Sequence, residues 1–123
     1  MYADFALLFS YRQYVDYPVR YYFDRTTYRI CEEKLVPLEV SDSDKRYIAM
    51  FQIDEDAIAI DFIKQMNDRK LFDRFNRRAI CVEEFLQQHG LWDRWWLFYR
   101  KEINKIVQKW CNEHFIKYKP LEE

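Results

Sequence analysis

The sequence predicts an α+β fold: a small antiparallel sheet of about three strands packed against four to five helices. Three observations predict it. Alternating aromatic and β-branched residues cluster before residue 52, and apolar residues recur at helical spacing after residue 54. A single glycine, Gly90, leaves little room for a loop-rich architecture. With 123 residues the chain fits one domain, sheet-rich over 15–52 and helical over 54–116.

The elements follow in order. Asp4 can cap a short helix that buries Phe5, Leu8 and Phe9 at i, i+3, i+4 spacing. VRYYF (19–23) alternates Val19, Tyr21 and Phe23 against more polar neighbours, and YRICEE (28–33) forms its partner strand. Between them Asp24 opens a turn, because its carboxylate can accept from the backbone two residues on. RYIAMF (46–51) is a third strand, preceded by a polar turn at 41–44. Asp54 then caps a helix with Glu55 and Asp56 at its positive end, and Ile53 staples to Ile58. Ile58, Phe62, Ile63 and Met66 line one side of it. A helix from Asn67 or Asp68 buries Leu71, Phe72 and Phe75. A third, over 82–89, stops at Gly90, which takes the left-handed conformation without strain and lets Leu91 return towards Leu86. The final helix runs from Trp92 to Phe115 and ends before Pro120.

That final helix contains LWDRWWLFYR (91–100), an aromatic–arginine stretch that could serve as a base-stacking platform, a docking surface or core. At 100° per residue, Trp92, Trp96, Tyr99, Ile103, Ile106, Val107 and Trp110 share one stripe, with Trp95 at its edge. A stacking platform has no reason to continue as Ile103, Ile106 and Val107. The stripe therefore reads as core, led by Trp92, Trp96 and Trp110. Leu97 and Phe98 fall off it.

Composition narrows the function classes. Phe, Trp and Tyr make up 20% of the chain, and each ring buries about 150–250 Å². A core of this size cannot hide them all, so some tyrosines should present a ring face at the surface. The net charge of −1 conceals a division: residues 1–63 carry 7 Lys/Arg against 12 Asp/Glu, and residues 64–109 carry 11 against 6. Cys31, Cys81 and Cys111 are odd in number and widely spaced, which is no disulfide framework and suits a reducing cytoplasm. The apolar run 5–9 lacks a basic leader and is too short for a signal peptide or a membrane span.

No residue pattern calls for a cofactor, a metal or a catalytic set. A single glycine excludes a phosphate-binding loop. Cys111 and His114 supply only two of the four ligands a structural zinc needs. Asp24, Glu32 and Lys34 bear a faint likeness to the Asp…Glu-x-Lys layout of metal-dependent hydrolases, a third reading and a pattern that charged chains often produce by chance. The acidic pairs Asp42/Asp44 and Asp54/Asp56 are explained by solvation and capping. Arg94, Lys101, Lys105 and Lys109 share the face opposite the core stripe, and Arg69, Lys70, Arg74, Arg77 and Arg78 face water on the second long-half helix. They can form a phosphate-attracting patch, although a pI near 6.1 is far from that of a dedicated nucleic-acid binder.

Taken in order, RYYFDRTTYRI, the third strand, the acidic helix start, FDRF and GLWDRWWLFYR resemble an uncharacterised family of small bacterial proteins. The likeness spans about Val19 to Ile116. It is carried by Tyr21, Tyr22, Asp24, Tyr47, Phe72, Phe75, Gly90, Leu91, Arg94, Trp95, Phe98 and Arg100. Where that family has Thr-Gly in the hairpin turn, this chain has Thr27-Tyr28. The resemblance implies an α+β fold and a bacterial, cytoplasmic home, and it implies no reaction. The expectation is a non-catalytic binding or regulatory protein acting through protein–protein contacts, its partner unidentified and open to being a second copy. The alternative is a nucleic-acid-associated protein using the basic helices 69–78 and 94–109. Candidate partner or phosphate contacts are Arg69, Arg74, Arg77, Arg78, Arg94, Phe98, Arg100 and Lys101.

Overall fold

A computed structural model describes residues 2–16, 18–35 and 46–119; the turn expected at 41–44 and the stop at Pro120 lie outside them. The fold is α+β, with five α-helices, a three-stranded antiparallel sheet and two short parallel strand pairs among the described residues. The chain divides into two compact units, Met1–Ile53 with Asn104–Glu123, and Asp54–Ile103.

In the first unit the sheet is ordered β4-β3-β5, where β3 is Tyr21–Asp24, β4 is Arg29–Glu32 and β5 is Tyr47–Ala49. Phe23 pairs with Ile30 on one side and Ile48 on the other, so alternation puts these three on one face. Phe23 is fully buried there. Trp110 packs on this face, its ring 5.8 Å from Phe23 and 5.7 Å from Phe51, both edge-on. Its indole N–H donates to the Ala49 carbonyl at 3.1 Å, which satisfies the one polar group such a burial would strand.

The β3–β4 turn behaves as its aspartate requires. Asp24 Oδ1 accepts from the Thr26 N–H at 2.9 Å, and the Asp24 carbonyl accepts from the Tyr28 N–H at 2.7 Å. Tyr28 sits at φ 55, the left-handed region that favours glycine. The predicted third strand, 46–51, is shorter than expected: β5 ends at Ala49, and beyond it Gln52–Ile53 forms β6, which pairs in parallel with β2 (Gln13–Tyr14). Val19 lies outside β3 and is exposed. Helix α1 (Phe5–Ser10) is capped by Asp4, whose carboxylate accepts from Ala6; it buries Phe5 and Leu8 and leaves Phe9 half-buried. β1 (Ala3–Asp4) pairs in parallel with β7 (Tyr118–Lys119), a two-residue match too short for alternation to announce.

In the second unit α2 (Glu55–Gln65) begins as its sequence demands, with Asp54 Oδ1 accepting from the Ala57 N–H at 3.1 Å. Ile58, Ala59, Phe62 and Ile63 are buried and Met66 is half-buried. Asn67, at φ 52, turns the chain, and Asp68 caps α3 (Arg69–Asn76) through Leu71. Phe75 is buried against Phe85 of α4 (Val82–Gln88), rings 5.4 Å apart. Gly90, φ 67, ends α4, with the Leu91 N–H donating back to the Leu86 carbonyl at 2.9 Å.

Helix α5 (Trp92–Glu113) belongs to the second unit up to Ile103 and to the first from Asn104. It stops two residues earlier than expected, because Phe115 is left-handed at φ 55 and Ile116 donates back to Cys111. The buried stripe is Trp95, Tyr99, Ile103, Val107, Trp110 and Cys111. Trp95, expected at the edge of the stripe, is the tryptophan of this turn that is fully buried. Trp92 and Trp96 are half-buried and stack on each other with centroids 6.3 Å apart, and Ile106 is half-buried.

Candidate interaction surface

The structure separates the predicted site residues by what their side chains already do. In the Asp54–Ile103 unit, Arg69, Lys70, Arg74 and Arg77 of the α3 segment are exposed, and no ion pair holds any of them among the described residues. Arg94 and Lys101 on α5 are likewise exposed. Arg78 is different. Its Nη2 pairs with Asp56 at 2.8 Å, its Nη1 donates to the Phe75 carbonyl at 2.9 Å, and its guanidinium lies 3.9 Å over the Phe75 ring. A cation stacked and bonded in this way ties α2 to the end of α3, and is no longer a free contact residue.

Phe98, expected at a contact surface, is half-buried with its ring 5.3 Å from Phe62. Arg100 is half-buried as well. The residue that stands out is Leu97, 62% exposed. Its helical neighbours three and four residues away are Asp93, Arg94, Arg100 and Lys101, so the apolar side chain rises among charged residues, three of them cations, on the solvent side of α5. Periodicity had marked Leu97 as off-stripe but could not separate it from Phe98, which finds Phe62 by tertiary packing alone.

The corner between α2 and α3 holds a cavity of about 310 Å³ lined by Ile63, Lys64, Asn67, Asp68, Arg69 and Phe72. Sequence reasoning missed it and with it Lys64, although the left-handed Asn67 followed by the capping Asp68 was the available signal for a sharp corner.

In the first unit the hydrolase layout does not assemble. Asp24 pairs with Arg29 and Glu32 with Tyr21 across the hairpin. That separation puts the two carboxylates on opposite faces and three residues, about 10 Å, apart along the strands. Lys34 pairs with Glu32 at 3.1 Å in solvent. Asp24 is committed to structure: Arg46 grips it with two hydrogen bonds of 3.0 and 3.1 Å. That hydrogen bonding holds its carboxyl below the ordinary aspartate range against the opposing effect of burial, with Thr26 and Thr27 contributing. All three cysteines are free. Cys111 is fully buried and its thiol is pushed up to about 11 by desolvation, the reverse of an activated nucleophile. The neighbouring His114 ring lies against Trp110, centroids 5.4 Å apart. Among the described residues no three His, Cys, Asp or Glu side chains gather as metal ligands, and no helix is long and apolar enough to cross a membrane.

Of the tyrosines, Tyr2 is 69% exposed while Tyr11, Tyr14, Tyr21, Tyr22, Tyr28, Tyr47 and Tyr118 are half-buried and Tyr99 is buried. The surplus aromatic surface is thus spread over many partly covered rings.

Set against models of protein families, curated proteins and solved structures, the chain matches none of them.

Proposed function

We propose that the protein is a non-catalytic cytoplasmic binding or regulatory module acting through protein–protein contacts, and that the outward face of α5 around Leu97 is a principal contact. The observation that carries this reading is Leu97 itself, a large apolar side chain held 62% exposed on a regular helix between Arg94 and Lys101. Interface anchors have this form, an apolar centre with a polar rim. Three free cysteines suit a reducing compartment. A partner that is a second copy of the chain falls within the proposal.

The test is co-purification and light scattering of the native chain beside Leu97→Ser and an Arg94→Glu/Lys101→Glu double variant. The native protein should form a defined complex or dimer that both variants lose. A partnerless monomer in all three forms overturns the reading.

A second reading, association with nucleic acid, is favoured by one observation: Arg69, Lys70, Arg74 and Arg77 point outward from α3. Phosphate contacts would make such binding fall steeply with salt, so absence of DNA or RNA retention in filter binding at low salt removes it. Membership in the small bacterial family is also a proposal. The left-handed Tyr28 supports it, because the turn keeps the backbone that the family's glycine would adopt.

A further inference from the structure

Among the described residues three helices end on a left-handed residue, and the three are unequal. Asn67 follows α2 and Gly90 follows α4, and both residue types take this conformation readily. Phe115 follows α5 at φ 55, where a bulky side chain is strained. The hydrogen bonds at Gly90 and Phe115 have one pattern. Gly90 donates back to Gln87 and Phe115 to Asn112. The next residue donates back five positions, Leu91 to Leu86 and Ile116 to Cys111, both at 2.9 Å. Glycine thus suffices for this stop, and the phenylalanine ring adds nothing to it. Phe115 is 89% exposed, which leaves both ring faces open. Strain kept without an internal contact points to a contact outside the molecule.

From Phe115 the chain runs into β7 with Lys117 and Lys119 exposed, Ile116 buried and Tyr118 half-buried. The segment is tied down at three points. Arg25 donates to the His114 carbonyl, Ala3 to the Lys117 carbonyl at 2.8 Å, and the Lys117 N–H to the Tyr28 hydroxyl at 3.4 Å. Residues 114–119 contain no acid. Glu113, just before them, pairs with Lys109 at 3.9 Å, and Asp4, opposite Lys119 in the strand pair, caps α1.

We infer that this segment binds a short run of single-stranded nucleic acid, one base stacking on Phe115 and two successive phosphates meeting Lys117 and Lys119. An open aromatic face beside cations is the complement of a strand of bases and phosphates. Two residues of extended chain span about 7 Å, a step that suits successive phosphates of an extended strand. Tyr2, 69% exposed, falls opposite Lys117 when the β1–β7 register is extended by one residue, and offers a neighbouring base a second ring. Two separate rings give too little apolar area for a membrane surface, where binding scales with the apolar area buried. With only two phosphates engaged, no strongly basic chain is needed, which fits a pI near 6.1. The inference is independent of the Leu97 contact and of the α3 cations, which belong to the Asp54–Ile103 unit.

The experiment follows the fluorescence anisotropy of a labelled oligothymidylate strand titrated with the full chain. The native chain should bind it. Phe115→Gly should weaken binding about tenfold or more through the loss of one stacked base, and should raise the melting temperature. Phe115→Trp should keep the affinity. The logarithm of the affinity should fall with the logarithm of salt at a slope of about −1.4, from two phosphates at about −0.7 each. Lys117→Gln and Lys119→Gln should each bring that slope to about −0.7. No binding at low salt, native affinity in Phe115→Gly, or a slope unmoved by both lysine variants overturns the inference. So does tighter binding to a duplex of the same length or to vesicles of phosphatidylcholine and phosphatidylserine. An Arg74→Glu/Arg77→Glu variant should bind like the native chain. If that variant alone abolishes binding, the strand is held by α3 and this inference falls while the α3 reading stands.

Discussion

Asp24 shows how one side chain can resemble chemistry and perform structure. Its carboxylate joins the hairpin turn through Thr26 and the edge strand through Arg46. A carboxyl lowered in the folded state stabilises the fold above the unfolded-state pKa of about 3.9, and that contribution is lost as pH falls through the lower folded value. Arg46→Met should therefore cost about 1–2 kcal/mol at neutral pH, towards the lower end for a charged hydrogen bond because Arg46 is partly exposed. It should also flatten the acid limb of a pH-dependent denaturation series; an unchanged limb would separate the acid sensitivity from this pair. Tyr28 and Phe115 make a second comparison, both left-handed at φ 55. Tyr28 recovers its strain by placing its ring 5.2 Å from Phe23 and its hydroxyl 3.4 Å from the Lys117 N–H. Phe115 recovers none, being 89% exposed. Phe115→Gly should raise stability by about 0.5–1 kcal/mol, whereas Tyr28→Gly should lower it by about 1 kcal/mol, as read by urea unfolding.

At the scale of elements, α5 is where periodicity succeeded and then slipped. The residues that form its core, Tyr99, Ile103, Val107 and Trp110, were legible from spacing, as were the caps Asp4 and Asp54 and the stop at Gly90. These are local effects, fixed by a side chain and the backbone within four residues of it. Spacing favoured Trp92 and Trp96 over Trp95, and only the neighbours packed against this turn reverse that order. Phe62 does so, its ring 5.5 Å from Trp95 and 5.3 Å from Phe98. Adjacent residues of α5 should accordingly respond in opposite ways. Phe98→Ser should destabilise by about 2–3 kcal/mol through lost packing, while Leu97→Ser should change stability by less than about 0.5 kcal/mol and act only on association. Paired thermal melts check this, and a large loss from Leu97→Ser would mean that the residue is covered.

For the molecule as a whole, the free cysteines report on packing. Cys81 is exposed, Cys31 half-buried with its thiol raised by desolvation and by the Asp24 charge, and Cys111 buried with its thiol at about 11. Native-state thiol titration near pH 8 should label Cys81 first and Cys31 more slowly, with Cys111 reacting only on unfolding. Early labelling of Cys111 would show that the Trp110 region opens well below the global transition. By itself the sequence determined the α+β class and the order of helices and hairpin, since these follow from composition, period and capping read along the chain. Tertiary structure alone decided that Asp24 belongs to Arg46, that Arg78 is stacked on Phe75, that Leu97 faces water, and that a cavity opens beside Phe72. Each of those depends on residues distant in sequence or on a corner's backbone geometry, and whether a polar or apolar group is employed or left over is settled only by what is packed against it.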